Sequence, residues 1–189
     1  MDLKNKTILF LGSSVTYGAC SGGVSFAEMI ADKTGAVCLK EAVSGTTLAD
    51  IREDSYVSRL KAFDKEQRLD LFVCQLSTND ATRGVEFSLI EKAIRFVLEY
   101  VKSTFGCPIV FYTGTYFENA VYTKMIELLY ALKEEYSFYI LDLYHDEEMR
   151  SVSKEKYKEY MSDVIHPTHL GYEEWWTPKF IEFLTTQVP

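Results

Sequence analysis

The sequence predicts an α/β fold, a three-layer α/β/α sandwich around a five-stranded parallel sheet with the flavodoxin-like strand order 2-1-3-4-5. Three observations carry that expectation. Short apolar runs alternate with longer amphipathic stretches along the 189 residues, the pattern of strands joined by crossover helices. Several of the runs are apolar throughout rather than at every second residue, as strands buried on both faces must be. No repeat, low-complexity tract or linker-like stretch interrupts the alternation, so one domain spanning 1–189 is expected. The strand order itself is an expectation from the fold type.

Ile8-Leu9-Phe10-Leu11, ended by Gly12, is the first strand. Ser25 and Glu28 form a capping box before Phe26, Met29 and Ile30, which follow at helical spacing. Val37 to Val43 reads as a second strand, less apolar and nearer an edge. Tyr56, Leu60 and Phe63 mark a short helix in a charged stretch, and Leu71 to Leu76 a third strand. Ser88 and Glu91 read as another capping box, followed by the stripe Ile90, Ala93, Ile94, Val97, Leu98 and Val101. Ile109 to Tyr112 is the fourth strand, Val121 to Leu132 a helix, and Phe138 to Leu143 the fifth strand. A polar segment, Tyr144 to Ser162, precedes a closing helix from about His169 to Leu184, expected to bend at Pro178. Trp175 and Trp176 are adjacent, so one is expected in the core and the other exposed.

A net charge of −8 argues against nucleic acid and anionic membrane as partners, since both require basic patches. No apolar run reaches the length of a membrane span. Nothing at the N-terminus has the form of a signal peptide, so a cytoplasmic setting is expected. Cys20, Cys38, Cys74 and Cys107 lack metal-ligand spacing and are expected to be free thiols, Cys74 and Cys107 within buried strands. No metal and no cofactor are expected. His145 and His169 have no second ligand at metal spacing. The sequence leaves the oligomeric state open.

Ligands of open parallel sheets bind beyond the carboxyl ends of the strands. Four polar clusters fall there: Gly12-Ser13-Ser14 after the first run, Ser44-Gly45-Thr46-Thr47 after the second, Ser77-Thr78-Asn79-Asp80 after the third, and Asp163-Val164-Ile165-His166 after the polar segment. Each alone is as readily a turn, a cap or a structural histidine. Together they supply a hydroxyl nucleophile, an imidazole base, a carboxylate and hydrogen-bond donors, the set that acyl transfer requires. Tyr17, Tyr116 and Phe117 are candidate pocket walls, or plain loop anchors.

In this order the clusters resemble the blocks of the SGNH/GDSL hydrolase family. Gly12-Ser13-Ser14 is similar to its Gly-Asp-Ser block, Ser44-Gly45 to its glycine block, Ser77-Thr78-Asn79-Asp80 to Gly-x-Asn-Asp, and Asp163-Val164-Ile165-His166 to Asp-x-x-His. The resemblance implies a serine esterase acting on a small acyl ester through an acyl-enzyme. It makes Ser14 the nucleophile, His166 the general base and Asp163 its orienter, with Ser14, Gly45 and Asn79 donating to the oxyanion. Two residues depart from the pattern: Ser13 stands where the family has aspartate, and Ser77, where it has glycine, is expected to narrow the site or shift Asn79. Two alternatives stay open. A Ser/Thr-rich loop after the first strand of such a fold can cradle a flavin or other phosphate, although that module has no use for Asp163 and His166. A catalytically silent, carbohydrate-binding member of the family is the other. The polar segment 144–162 either gives reach to the Asp163–His166 loop or forms a lid over the site.

Overall fold

The apolar runs form a single sheet in the computed structural model, which describes Met1–Pro189. Its strands are β1 (Thr7–Gly12), β2 (Val37–Ala42), β3 (Leu71–Gln75), β4 (Ile109–Tyr112) and β5 (Tyr139–Leu141). Every pairing is parallel and the order is β2-β1-β3-β4-β5, as expected. The half-exposed β2 lies at one edge. At the centre, Phe10 pairs with Lys40 on one side and Val73 on the other.

Strand pleating sends alternate side chains to opposite faces, and each face builds its own core. Leu9, Leu11, Phe72, Cys74 and Phe111 pack with α3 (Tyr56–Ala62), α5 (Phe87–Thr104) and α6 (Ala120–Lys133). Ile8, Phe10, Leu71, Val73 and Tyr112 pack with α2 (Phe26–Thr34) and α10 (Thr177–Thr186). Phe26 anchors the second core. Its ring stacks on Phe180 at a centroid separation of 4.0 Å and meets Tyr112 edge-on at 5.3 Å. The remaining helices are short: α1 (Ser14–Tyr17), α4 (Thr78–Thr82), α7 (Glu147–Ser151), α8 (Lys154–Tyr160) and α9 (His169–Gly171). No helix is long and apolar enough to cross a membrane.

The capping box at Ser25 forms as expected, Ser25 Oγ accepting from Ala27 N and Glu28 accepting from Ser25 N. The one expected at Ser88 does not. α5 starts two residues earlier, with Glu86 as an N-cap that makes no side-chain capping bond; Ser88 Oγ donates to the Glu86 carboxylate, and Glu91 is engaged by Arg95 at 2.9 Å, one turn on. The closing helix is broken by chemistry that starts before Pro178. Residues Tyr172–Trp176 form a π-turn, Thr177 N donates to Tyr172 O, and Pro178 sits in the first turn of α10. Proline has no N–H to continue an α ladder through this point, and the wider turn absorbs the mismatch.

Both tryptophans are buried, contrary to expectation. Trp176 packs against Phe26 and Tyr112. Trp175 is covered from outside by α8, where Tyr160 lies 5.3 Å and Tyr157 6.3 Å from its ring. The nominally polar segment thus buries side chains in both cores, Tyr144 in the first and Met149 and Tyr160 in the second. The thiols are unpaired. Cys74 is buried in β3, whereas Cys107 precedes β4 and is only half-buried, correcting its expected place within a strand.

Candidate active site

The four polar clusters converge along the carboxyl edge of the sheet. β1 ends at Gly12, and the chain turns at once into α1 with Ser14 as its first residue. No other residue type fits at position 12. A Cβ there would lie 1.7 Å from Thr16 Oγ1 and 2.8 Å from Gln75 Oε1. The turn is braced from below by Gln75, the last residue of β3. Its Oε1 accepts from Ser13 N at 2.9 Å, Thr16 Oγ1 at 3.0 Å and Ser13 Oγ at 3.3 Å. Ser13 is buried, while Ser14 remains reachable at 8% exposure.

Ser14 Oγ stands 2.7 Å from His166 Nε2. On the far side of the ring, Nδ1 lies 2.8 Å from Asp163 Oδ2. With Nδ1–H donating to the carboxylate, Nε2 is left as an acceptor facing the serine hydroxyl. Asp163 Oδ1 also accepts from the amides of Ile165 and His166, both at 2.7 Å, which closes the loop into a tight turn. Burial pushes the Asp163 carboxyl up. The His166 hydrogen bond and the two amides outweigh it and hold the group below the usual carboxylate range.

Gly45 and Asn79 come from neighbouring elements. Gly45 follows β2 with φ +78°, a left-handed conformation that side chains disfavour. A Cβ added there would also press on Arg83 Nη2 at 3.3 Å. Neither Ser14 N nor Gly45 N donates to any group of the protein. Asn79 is the second residue of α4 and donates one amide hydrogen to Thr46 O at 2.9 Å, which leaves the other hydrogen of that amide available. Asp80, next to it, is buried and accepts from Leu48 N at 2.7 Å and Ala49 N at 2.9 Å. α4 therefore grips the Gly45 loop at two points.

Ser77 does not narrow the site. It is fully buried beneath α4 and caps that helix by accepting from Asp80 N. The two departures from the family pattern meet at one place. The buried Tyr56 hydroxyl lies beside both the Ser13 and the Ser77 hydroxyls, without hydrogen-bond geometry to either. Burial drives the Tyr56 phenol far above its usual range, the serine hydroxyls lowering it only in part.

Three supporting residues escape motif reading: Tyr56, Gln75 and Arg59. Arg59 Nη1 donates to Glu41 O, Nη2 to Gly12 O and Thr46 Oγ1, and Nε to Asp54 O. One side chain thus ties the ends of β1 and β2 to the Gly45 loop. Nothing in the sequence around Arg59 marks this. Gln75 did leave a signal, as the one polar residue in the run Leu71–Leu76.

Of the other candidates, Phe117 is buried, whereas Tyr17 and Tyr116 are exposed, each with a cation over its ring, Lys40 and Arg150 respectively. His169 lies in α9 and bonds Ser21 Oγ at 2.8 Å. His145 pairs with Asp142. No three His, Cys, Asp or Glu side chains converge as a metal-binding group.

Residues 10–174 match the GDSL-like lipase/acylhydrolase family. A search among curated proteins finds no match. Solved structures that share the fold include a Lactobacillus plantarum protein, with TM-score 0.82, 17% identity, and 98% of this chain and 99% of that one covered. A lipolytic protein of the G-D-S-L family from Veillonella parvula gives 0.76 at 15% identity, covering 95% and 98%. The acetyl xylan esterase AlAXEase gives 0.75 at 13% identity, covering 93% and 98%. The flavodoxin-like alternative loses its ground with the family match. The chain belongs to the GDSL-like lipase/acylhydrolase family and is a hydrolase of ester bonds.

Proposed function

We propose that the protein is a serine esterase in which Ser14, His166 and Asp163 act as a triad on a short acyl ester, acetyl foremost. The observation that carries this reading is the 2.7 Å approach of Ser14 Oγ to His166 Nε2, with Asp163 on the opposite ring nitrogen. Ser14 Oγ attacks the ester carbonyl and its proton passes to His166 Nε2. Asp163 stabilises the imidazolium without taking the proton. The amides of Ser14 and Gly45 and the second hydrogen of the Asn79 amide receive the oxyanion. Each such donor contributes about 3–4 kcal/mol of transition-state stabilisation.

The tetrahedral species collapses as the imidazolium protonates the departing alkoxide, leaving Ser14 acylated. Water then gives its proton to His166 and attacks the acyl carbon. His166 returns that proton to Ser14, and the free acid leaves. No cofactor enters these steps. The acetyl preference draws support from the likeness to an acetyl xylan esterase.

A fluorophosphonate probe tests the nucleophile. The adduct should map to Ser14, and hydrolysis of 4-nitrophenyl acetate should vanish in Ser14→Ala. An adduct on Ser13, or none on folded protein, overturns the reading, and the absence of both labelling and hydrolysis would favour a silent binding protein. In a series of nitrophenyl esters, turnover should fall as the acyl chain lengthens beyond acetyl. A reducing, cytoplasmic setting belongs to the same reading. Titration of unreduced, denatured protein should find four thiols, from Cys20, Cys38, Cys74 and Cys107.

A further inference from the structure

A cavity of about 450 Å³ lies between the β4–α6 loop, the α7–α8 segment and Trp175. Its size suits a small molecule. Ser14, Asp163 and His166 do not line it. α8 supplies one wall and leads along the chain into the Asp163–His166 loop. Tyr157, on its wall, has a phenol raised by burial and by the Asp163 charge.

The cavity's charge is opposite to that of the protein. Arg150, Lys154 and Lys158 line it, and no Asp or Glu does. None of the three forms an ion pair, although neighbouring cations do: Lys156 with Glu159 and Glu174, Lys179 with Asp146 and Glu148. On a chain of net charge −8, three unpaired cations around one concavity create a local positive potential that draws anions. The walls between them are apolar and aromatic, with Met149, Val152, Tyr157 and Trp175. The Arg150 guanidinium sits 4.5 Å from the centre of the Tyr116 ring, which fixes its fork at the rim. Deeper in, Thr115 is 4% exposed and its Oγ1 has no hydrogen-bond partner. No protein group competes for that hydroxyl, so it is free to bond a bound group.

We infer that this cavity binds a ring bearing a carboxylate, which forms the alcohol side of the ester substrate. The inference rests on the esterase reading for the word substrate, and on the cavity alone for the ligand. The carboxylate accepts from Arg150 and the lysines, the ring lies against Tyr116, Tyr157 and Trp175, and Thr115 Oγ1 bonds a ring substituent. Charge-assisted bonds and a desolvated aromatic wall together select an anionic ring over its neutral counterpart.

The test uses Ser14→Ala protein, so that nothing is turned over, titrated with methyl β-glucuronide, 4-methoxybenzoate and neutral methyl β-glucoside. Tryptophan fluorescence and calorimetry follow binding. At least one anion should bind about tenfold more tightly than the glucoside, the yield of one charge-assisted bond. Which anion binds tells a sugar acid from an aryl acid. Arg150→Gln and Lys158→Gln, both at exposed positions, should each weaken that binding severalfold with the thermal melt unchanged. Equal affinity for the glucoside, no binding of either anion, or indifference to both substitutions overturns the inference. Hydrolysis of 4-nitrophenyl acetate by the wild type separates the two claims. Ser14-dependent hydrolysis without anion binding sinks the cavity alone, and anion binding without hydrolysis sinks the esterase reading alone.

Discussion

The molecule contains the same local device twice. Asp142 and His145 are three residues apart, with Nδ1 2.8 Å from Oδ2, and so are Asp163 and His166. In each pair the aspartate also accepts from the histidine's own amide. The pairs differ in what lies beyond them. His166 presents Nε2 to Ser14 Oγ, whereas His145 Nε2 has no protein partner and its side chain is 50% exposed, against 25% for His166. Asp142 is the better buried carboxylate, and it spends its oxygens on structure, accepting from Tyr130 Oη at 2.8 Å and Thr113 Oγ1 at 3.3 Å. In both places the Asp-x-x-His turn makes an oriented imidazole. Whether that imidazole can serve as a base depends on which strand end faces its far nitrogen, and the sheet order decides this.

The largest effect should come from the histidines. If Ser14, His166 and Asp163 act as proposed, His166→Ala loses about three to four orders of magnitude in kcat/KM. His145→Ala should stay within about twofold, the scatter of a surface change. Comparable losses in both variants would abolish the contrast. The aspartates come next. Asp163→Ala should lose less than His166→Ala, and the double variant should be little worse than His166→Ala, because both act through one proton transfer. Multiplicative losses would break the coupling. Asp142→Ala should keep its turnover per folded molecule but lose about 1–3 kcal/mol of stability, the cost of stranding the hydroxyls it binds. Denaturant melts beside steady-state kinetics read both outcomes.

Much of this was legible in the residues. The apolar runs are dictated by burial on two faces, so the strands could be read within two residues of their ends. The clusters after them had to share one edge once the sheet was parallel. The glycine at position 12 and the left-handed Gly45 mark where backbone and side chains crowd, and such positions keep their identity in a motif. What stayed hidden depends on contacts between distant segments. Arg59 looks like any charged residue on a short helix until three carbonyls meet it. Trp175 is buried only because α8 returns across it. The box at Ser88 is not made because both of its members are engaged elsewhere, Glu91 with Arg95 and Ser88 with Glu86, a contest between local rules that spacing alone does not settle.

A smaller effect concerns the platform under Ser14. Gln75 is buried, and its oxygen holds Ser13 N and Thr16 Oγ1. No glutamine underlies the Asp142–His145 pair, whose turn closes on itself. Gln75→Leu should cut kcat about tenfold, since positional shifts of an ångström or less carry costs of that order. It should also destabilise the fold by about 1–3 kcal/mol through orphaned donors, and it should leave probe labelling confined to Ser14. Unchanged kcat would mean that the turn needs no brace.

The smallest effect is one of pH. Burial raises the Asp163 carboxyl, but His166 and the two amides more than offset this, so its folded value lies below the ordinary 3.8. A carboxyl depressed on folding contributes stability that is fully present above its unfolded value and is lost as pH falls through the folded one. With its side chain 52% exposed, solvent screening keeps the contribution small. Asp163→Asn should therefore melt slightly below the wild type at neutral pH, and the gap should close as pH falls below about 4, the unfolded carboxyl range. Activity should behave differently. Asp163 stays ionised down to that range, so a loss of kcat/KM between neutral pH and about 4 does not come from its protonation. If Asp163→Asn melted with the wild type at neutral pH, Asp163 would hold its loop by the amide bonds that asparagine retains, and its link to the imidazole would carry no weight in the fold. If activity and the melting gap declined together, the carboxylate rather than the imidazole would set the acid limb, and the distinction between the two Asp-x-x-His turns would rest on the wrong residue.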